Sequence, residues 1–188
     1  DTGRVIYLGT FSKTLYPGIR MAYLVVPQHL QQVFATASSD FYRDGDVVQQ
    51  RVLADFIREG HYAAHVRSTR REYGLRREAL LAALREHLGA ELAYGRIAIS
   101  GGAMGMHLTL LLPAEVDDRG ISRATACLGV TLMPLSVYCV GARRSGLILS
   151  YAAVPCDQLG PKIALVAPLI RQALTAPPTA ALTAAAPP

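Results

Sequence analysis

Apolar and polar positions along the chain fall into blocks whose spacing sets the expected elements. Val5 to Leu8, closed by Gly9, and Met21 to Val26, closed by Pro27, are short continuous apolar runs, the pattern of buried strands. The segment between them is polar and punctuated by Pro17 and Gly18, which predicts a loop. Asp46 then precedes Val47, Val48, Val52, Leu53, Phe56 and Ile57 at helical spacing, and Gly60 closes the run; a cap and a stop thus bracket one helix. A longer helix is predicted from His61 to about Leu88, with Val66, Tyr73, Leu80, Leu84 and Leu88 among its apolar positions and Gly89 at its end.

Beyond Gly89 the texture changes to short strands and one helix. Ile97 to Ile99, Met106 to Leu112, Val130 to Met133 and Leu147 to Ala152 predict strands, and Asp117 to about Leu128 a helix, together a small α+β domain. Pro155 to Leu174 predicts a last helix, started by Pro161 and kinked by Pro168. Thr175 to Pro188 holds only Ala, Pro, Thr and Leu and predicts a disordered tail. No internal repeat at a solenoid period is present.

Composition narrows the class. Of 188 residues 51% are hydrophobic and 18% charged, enough apolar side chain for a core and too much for general disorder. No apolar run approaches the roughly 18 residues of a bilayer crossing. Cys127, Cys139 and Cys156 are odd in number and follow no C-x-x-C spacing, which argues against a disulfide or metal framework and for a reducing, cytoplasmic setting. The chain opens with Asp1-Thr2-Gly3-Arg4, without Met or signal peptide, as expected of a chain that begins inside a longer protein. The net charge of +5 comes almost wholly from arginine, Lys13 and Lys162 being the only lysines. Arg67, Arg70, Arg71, Arg76 and Arg77 lie in the long helix and read as a solvated face, since no helix-turn-helix, zinc finger or aromatic RNA platform accompanies them.

With so few lysines, the stretch from Tyr7 to Arg20, Y-L-G-T-F-S-K-T-L-Y-P-G-I-R, stands out. It places Lys13 just past a strand, where α/β proteins put chemistry. A partly desolvated lysine becomes an amine nucleophile able to condense with an aldehyde. Thr10 and Ser12 offer hydroxyl donors, Gly18 permits close backbone approach, and Arg20 can fork onto a phosphate. A phosphorylated aldehyde satisfies both halves. The plainer alternative is a surface lysine beside a turn.

This segment resembles the pyridoxal-phosphate signature of fold-type I aminotransferases, S-F-S-K-x-x-x-P-G-x-R-x-G-Y. With the run Arg4 to Pro27, the stretch L-A-D-F-I-x-E-G-H-Y-A-A-H-V-R-x-x-R-x-x-Y from Leu53 to Tyr73, and the late P-L-S-x-Y from Pro134, the chain resembles MocR/PdxR-type regulators of the GntR superfamily over residues 4 to 174. The resemblance implies an α/β fold: the C-terminal half of a fold-type I transferase, with the end of a large doubly wound domain and a small α+β domain. It divides the chain into residues 1–45, the end of the large domain with the lysine loop; 46–88, interdomain helices; 89–174, the small domain; and 175–188, the tail. It further implies that Lys13 holds pyridoxal 5'-phosphate as an aldimine, with Thr10 and Ser12 in the phosphate cup and Arg20 on the phosphate. A homodimer, an amino-acid or vitamin B6 effector, and DNA binding through an N-terminal winged helix-turn-helix outside this chain follow as expectations.

The chain departs from the enzymes at one position. They commonly carry an arginine in a late strand to grip the substrate carboxylate, as in L-R-L-G-F-A. Here Gly146 to Ala152 reads G-L-I-L-S-Y-A, with Ile148 at that place, and an apolar side chain cannot hold a carboxylate. This favours a cofactor-sensing effector domain; a free-standing class I/II aminotransferase is the alternative, and a degenerate fragment that binds no cofactor the third. Arg143 and Arg144, just upstream, offer a substitute guanidinium but read as solvated. His107, lacking a carboxylate partner in sequence, reads as a packed or edge imidazole. His61 and His65 have metal-binding i, i+4 spacing without the intervening E-x-x, so a helix surface is the simpler reading.

Overall fold

The computed structural model describes residues 3–42, 45–101 and 105–175; of the tail expected over residues 175–188 only Thr175 is described, as the last residue of a helix, and residues 176–188 lie outside the described residues. The chain divides into two compact units, Asp1–Thr69 and Arg70–Pro188, and the division falls inside one long helix.

In the first unit, β1 (Tyr7–Thr10) and β2 (Ala22–Val25) form an antiparallel ribbon with Tyr7 opposite Val25 and Thr10 opposite Ala22. The apolar runs place these strands, but β1 begins and ends two residues later than its run. Gly9 does not terminate it. It pairs with Tyr23, whose ring would lie 2.2 Å from a Cβ added at residue 9, so glycine lets the aromatic side chain cross the ladder. The expected burial of both strands is not found: Leu8 is 67% exposed and Val25 57%. A two-stranded ribbon has two faces to cover, and in β1 and β2 only Gly9 is buried.

Two helices follow, α1 (Gln31–Tyr42) and α2 (Val47–Arg58). α1 is absent from the sequence reading. Val33, Phe34, Ala37 and Phe41 carry its helical spacing, but no capping residue or glycine stop frames it. α2 has both signals: the Asp46 carboxylate accepts the Gln49 N–H at 3.1 Å, and Gly60 ends the helix at φ +83°, a left-handed stop suited to glycine.

The helix α3 (His61–Ala93) enters the second unit, where Leu80, Leu81, Ala83, Leu84 and Leu88 turn one apolar stripe into the core. Gly89 marks a kink rather than an end. Leu88 leaves helical geometry (φ −132°, ψ 22°), and the Arg171 guanidinium donates to the His87 carbonyl at 2.9 Å. A four-stranded antiparallel sheet packs on this stripe in the order β3 (Ala98–Ser100), β4 (His107–Leu112), β6 (Ser145–Ser150), β5 (Met133–Pro134). The last strand starts two residues earlier than its apolar run suggests, and β5 is shorter than expected. Leu108 and Leu110 of β4 and Leu147 and Leu149 of β6 point inward, the period-two alternation of a sheet covered on one side.

α4 (Asp118–Ala126) and α5 (Cys156–Thr175) complete the core with Ile121, Leu159, Ile163, Val166 and Ile170. α5 stays one element through Pro161 and Pro168 because both prolines are exposed, which lets the carbonyls they leave unbonded face water. The arginine face of α3 needs a correction as well: Arg76 and Arg77 are only about one-fifth exposed. Arg76 bonds Glu72 and the Ala152 carbonyl and lies over the Tyr73 ring, so its aliphatic stem is packed rather than solvated. Among the described residues no helix is long and apolar enough to cross a membrane, and the three cysteines are free thiols.

Gly146 is fixed by close approach. A Cβ there would lie 2.9 Å from the Leu110 carbonyl oxygen and 3.0 Å from Leu135 Cδ2. Gly146→Ala should therefore destabilise the second unit by about 1–3 kcal/mol, since a central ladder cannot move aside; a urea melt followed by circular dichroism measures it.

Candidate functional site

The loop from Phe11 to Met21 leaves β1 and returns into β2, so the ribbon fixes both of its ends. The Phe11 N–H donates to the Met21 carbonyl at 3.2 Å, and the Leu15 N–H closes a helical turn onto the Phe11 carbonyl at 2.8 Å. Lys13 lies in that turn. Thr10 and Ser12 are brought together: Thr10 Oγ1 lies 3.1 Å from Ser12 Oγ and accepts the Ser12 N–H at 3.2 Å. This leaves two hydroxyls clustered just ahead of the lysine.

Lys13 itself is exposed, which corrects the expectation of a partly desolvated amine. No described residue of the first unit covers it or pairs with it. Arg20 is also exposed and without an ion pair among the described residues. It follows the single turn Pro17–Ile19 and has φ 50° and ψ 31°, the only left-handed residue other than glycine among those described. Non-glycine residues pay about 1–2 kcal/mol for that backbone, so an arginine there is a strained choice.

Behind the loop, aromatic rings form a wall. Phe11 lies 5.5 Å from Tyr23 and meets Tyr62 edge-on at 5.8 Å, and a hydrogen bond with Tyr7 raises the Tyr23 phenol above its usual range. Tyr62 donates its hydroxyl proton to Thr14 Oγ1 at 3.0 Å, and His65 Nε2 lies 3.0 Å from the Thr14 carbonyl. Neither contact is legible from sequence, where His65 reads as helix surface; separations of 48 and 51 residues carry no local signal. His61, its i, i+4 companion, instead pairs with Glu59 at 3.3 Å and packs on Phe56.

In the second unit, Ile148 is half-buried on the outer face of β6, opposite Thr109 and Met133. Arg143 reaches toward Asp117 and Asp118 at 3.8 and 3.7 Å, so its charge is met within the unit. His107 is exposed at the start of β4. Asp118, which the sequence reading passed over, is fully buried and accepts from Ser136 N–H at 2.8 Å, Ser136 Oγ at 2.7 Å and Gly146 N–H at 3.2 Å. It is a structural pin between α4, the turn after β5, and β6.

The two-unit architecture has counterparts of known structure. A kynurenine aminotransferase from Pyrococcus horikoshii, solved in complex with PMP, superposes with a TM-score of 0.80 at 27% identity over 94% of this chain and 43% of its own. A multiple substrate aminotransferase from Thermococcus profundus gives 0.80 at 25% identity over 93% and 42%. The chain therefore has the fold of the C-terminal part of the fold-type I aminotransferases. Its sequence narrows the class. It is 36% identical to the "probable rhizopine catabolism regulatory protein MocR" of Rhizobium meliloti over 81% of this chain and 30% of that protein. It is 32% identical to the HTH-type transcriptional regulator TauR of Rhodobacter capsulatus over 90% and 34%, and 31% identical to the 2-aminoadipate transaminase of Thermus thermophilus over 80% and 36%. No protein-family model matches the chain. It is an aminotransferase-like segment of the MocR regulator type, and it spans about a third of the length of the curated relatives it matches.

Proposed function

We propose that the chain is part of the effector domain of a MocR-type transcriptional regulator and that it holds pyridoxal 5'-phosphate at the loop from Thr10 to Arg20. The observation that carries this reading is the lysine turn. An amine with no partner among the described residues follows a two-hydroxyl cluster and precedes an arginine held in a strained backbone. The donor set fits a phosphorylated aldehyde: Ser12 and Thr10 supply hydroxyls, Arg20 a guanidinium fork, and Lys13 the nucleophile. When bound, the cofactor supplies an electron sink for bonds at an amino-acid α-carbon. Lys13 supplies the attachment point, and Arg20 with the hydroxyls opposes the phosphate charge.

Sensing rather than turnover follows from Ile148, since an apolar side chain leaves a carboxylate substrate without its grip at that strand position. A homodimer, an amino-acid or vitamin B6 effector, and DNA contact through a helix-turn-helix outside this chain complete the reading, in line with the names of MocR and TauR. The 2-aminoadipate transaminase match favours the alternative of an aminotransferase. The full reading frame that encodes this chain decides between them: an amino-acid-dependent change in operator binding with negligible transamination supports the regulator, and rapid transamination without DNA binding overturns it.

Arg20→Gly separates fold from ligand. Relief of the left-handed backbone should leave stability unchanged or raise it by up to about 1 kcal/mol. Loss of the charged fork should weaken cofactor binding by about 10- to 100-fold. Thermal melts and absorbance titration with pyridoxal 5'-phosphate read the two effects apart, and Arg20→Lys should fall between.

A further inference from the structure

We propose that Tyr62 and His65 are positioning residues that clamp the lysine turn from one face of a helix and so set the direction in which Lys13 presents its amine. The inference rests on the cofactor reading above. Both residues lie in the first turns of α3, three positions apart and therefore on one face. Both act on Thr14, the residue directly after Lys13. The Tyr62 hydroxyl donates to Thr14 Oγ1 at 3.0 Å, and the Thr14 hydroxyl lies 3.5 Å from the Phe11 carbonyl, which already receives the Leu15 N–H. A carbonyl can only accept, so the 3.0 Å contact between His65 and the Thr14 oxygen requires the proton on Nε2. The Thr69 hydroxyl lies 3.4 Å from the same nitrogen and is the weaker partner. With its side chain and its carbonyl both held, Thr14 is fixed at its Cα and at the Thr14–Leu15 peptide plane, which anchors the residue bonded to Lys13 and so restricts the Lys13 Cα–Cβ direction. Phe11, edge-on against Tyr62 at 5.8 Å, closes the other side of the turn.

The test has two readouts on the full reading frame and its Tyr62→Phe, His65→Ala and His65→Gln variants. Without cofactor, amide exchange reports the turn directly: exchange at Leu15 should rise about tenfold in Tyr62→Phe and His65→Ala, the effect of one net hydrogen bond. Gln places an amide N–H near the Nε2 position, so His65→Gln should restore much of the protection. With pyridoxal 5'-phosphate, the amine condenses with the aldehyde and releases water. Borohydride then supplies the hydride that makes the link permanent, and peptide mapping gives the ratio of adduct at Lys13 to adduct at Lys162. That ratio should fall about tenfold in step with exchange, while Lys162 labelling and the melting temperature hold. Unchanged exchange at Leu15 overturns the clamp. Raised exchange with an unchanged labelling ratio overturns the positioning role alone. A wild-type protein that gives no Lys13 adduct overturns the cofactor reading and the positioning role with it.

Discussion

Lys13→Ala should abolish covalent capture of pyridoxal 5'-phosphate at this site, and Lys13→Arg should abolish it equally. The second variant makes the test sharp. Arginine keeps the positive charge beside a phosphate but stays protonated at any working pH, so it offers no lone pair to a carbonyl. Loss of the visible absorbance band and of the borohydride-fixed mass in both variants assigns the nucleophile to residue 13. Retention in Lys13→Arg at the wild-type level would reduce the residue to a counter-charge and move the attachment elsewhere. Fold is not at stake in either case. Lys13 is exposed and has no partner among the described residues, so stability should stay within about 0.5 kcal/mol of wild type by thermal melt.

The largest stability effect is expected at Asp118→Ala. The carboxylate is wholly buried and accepts three hydrogen bonds, two from Ser136 and one from the Gly146 N–H. Removing it leaves the Ser136 and Gly146 N–H groups and the Ser136 O–H without their acceptor and leaves Arg143 without its inner counter-charge. We expect a loss of about 3–5 kcal/mol, a large part of a small unit's total. Asp118→Asn should cost less but not little: its amide oxygen can replace one acceptor, while its NH2 faces groups that also donate. Urea melts give both values, and a loss under about 1 kcal/mol in the alanine variant would mean that water replaces the carboxylate.

How much of this was legible in the sequence depends on whether the physics is local. Asp46 and Gly60 announce the ends of α2 because a cap and a left-handed stop act within one turn. The lysine loop announces itself through residue chemistry packed into a few positions. The stripe from Leu80 to Leu88 gives α3, although Gly89 read as a terminus when it follows a kink that Arg171 helps to satisfy. α1 carries apolar spacing without flanking signals, so nothing local announces it. An apolar run states what a strand needs and not what covers it, so the exposure of β1 and β2 is not legible in their sequence. Asp118 and the Thr14 clamp were invisible for a common reason: each joins positions 18 to 51 residues apart, and only the folded chain brings them together.

The left-handed backbone at Arg20 has an evolutionary corollary. Selection for folding alone favours glycine or asparagine at such a position, and each generation of neutral drift pushes that way. On the proposed role of Arg20, a descendant that gives up a phosphorylated ligand should lose the guanidinium at residue 20 among its first changes, and a lineage that keeps it should be one that binds such a ligand.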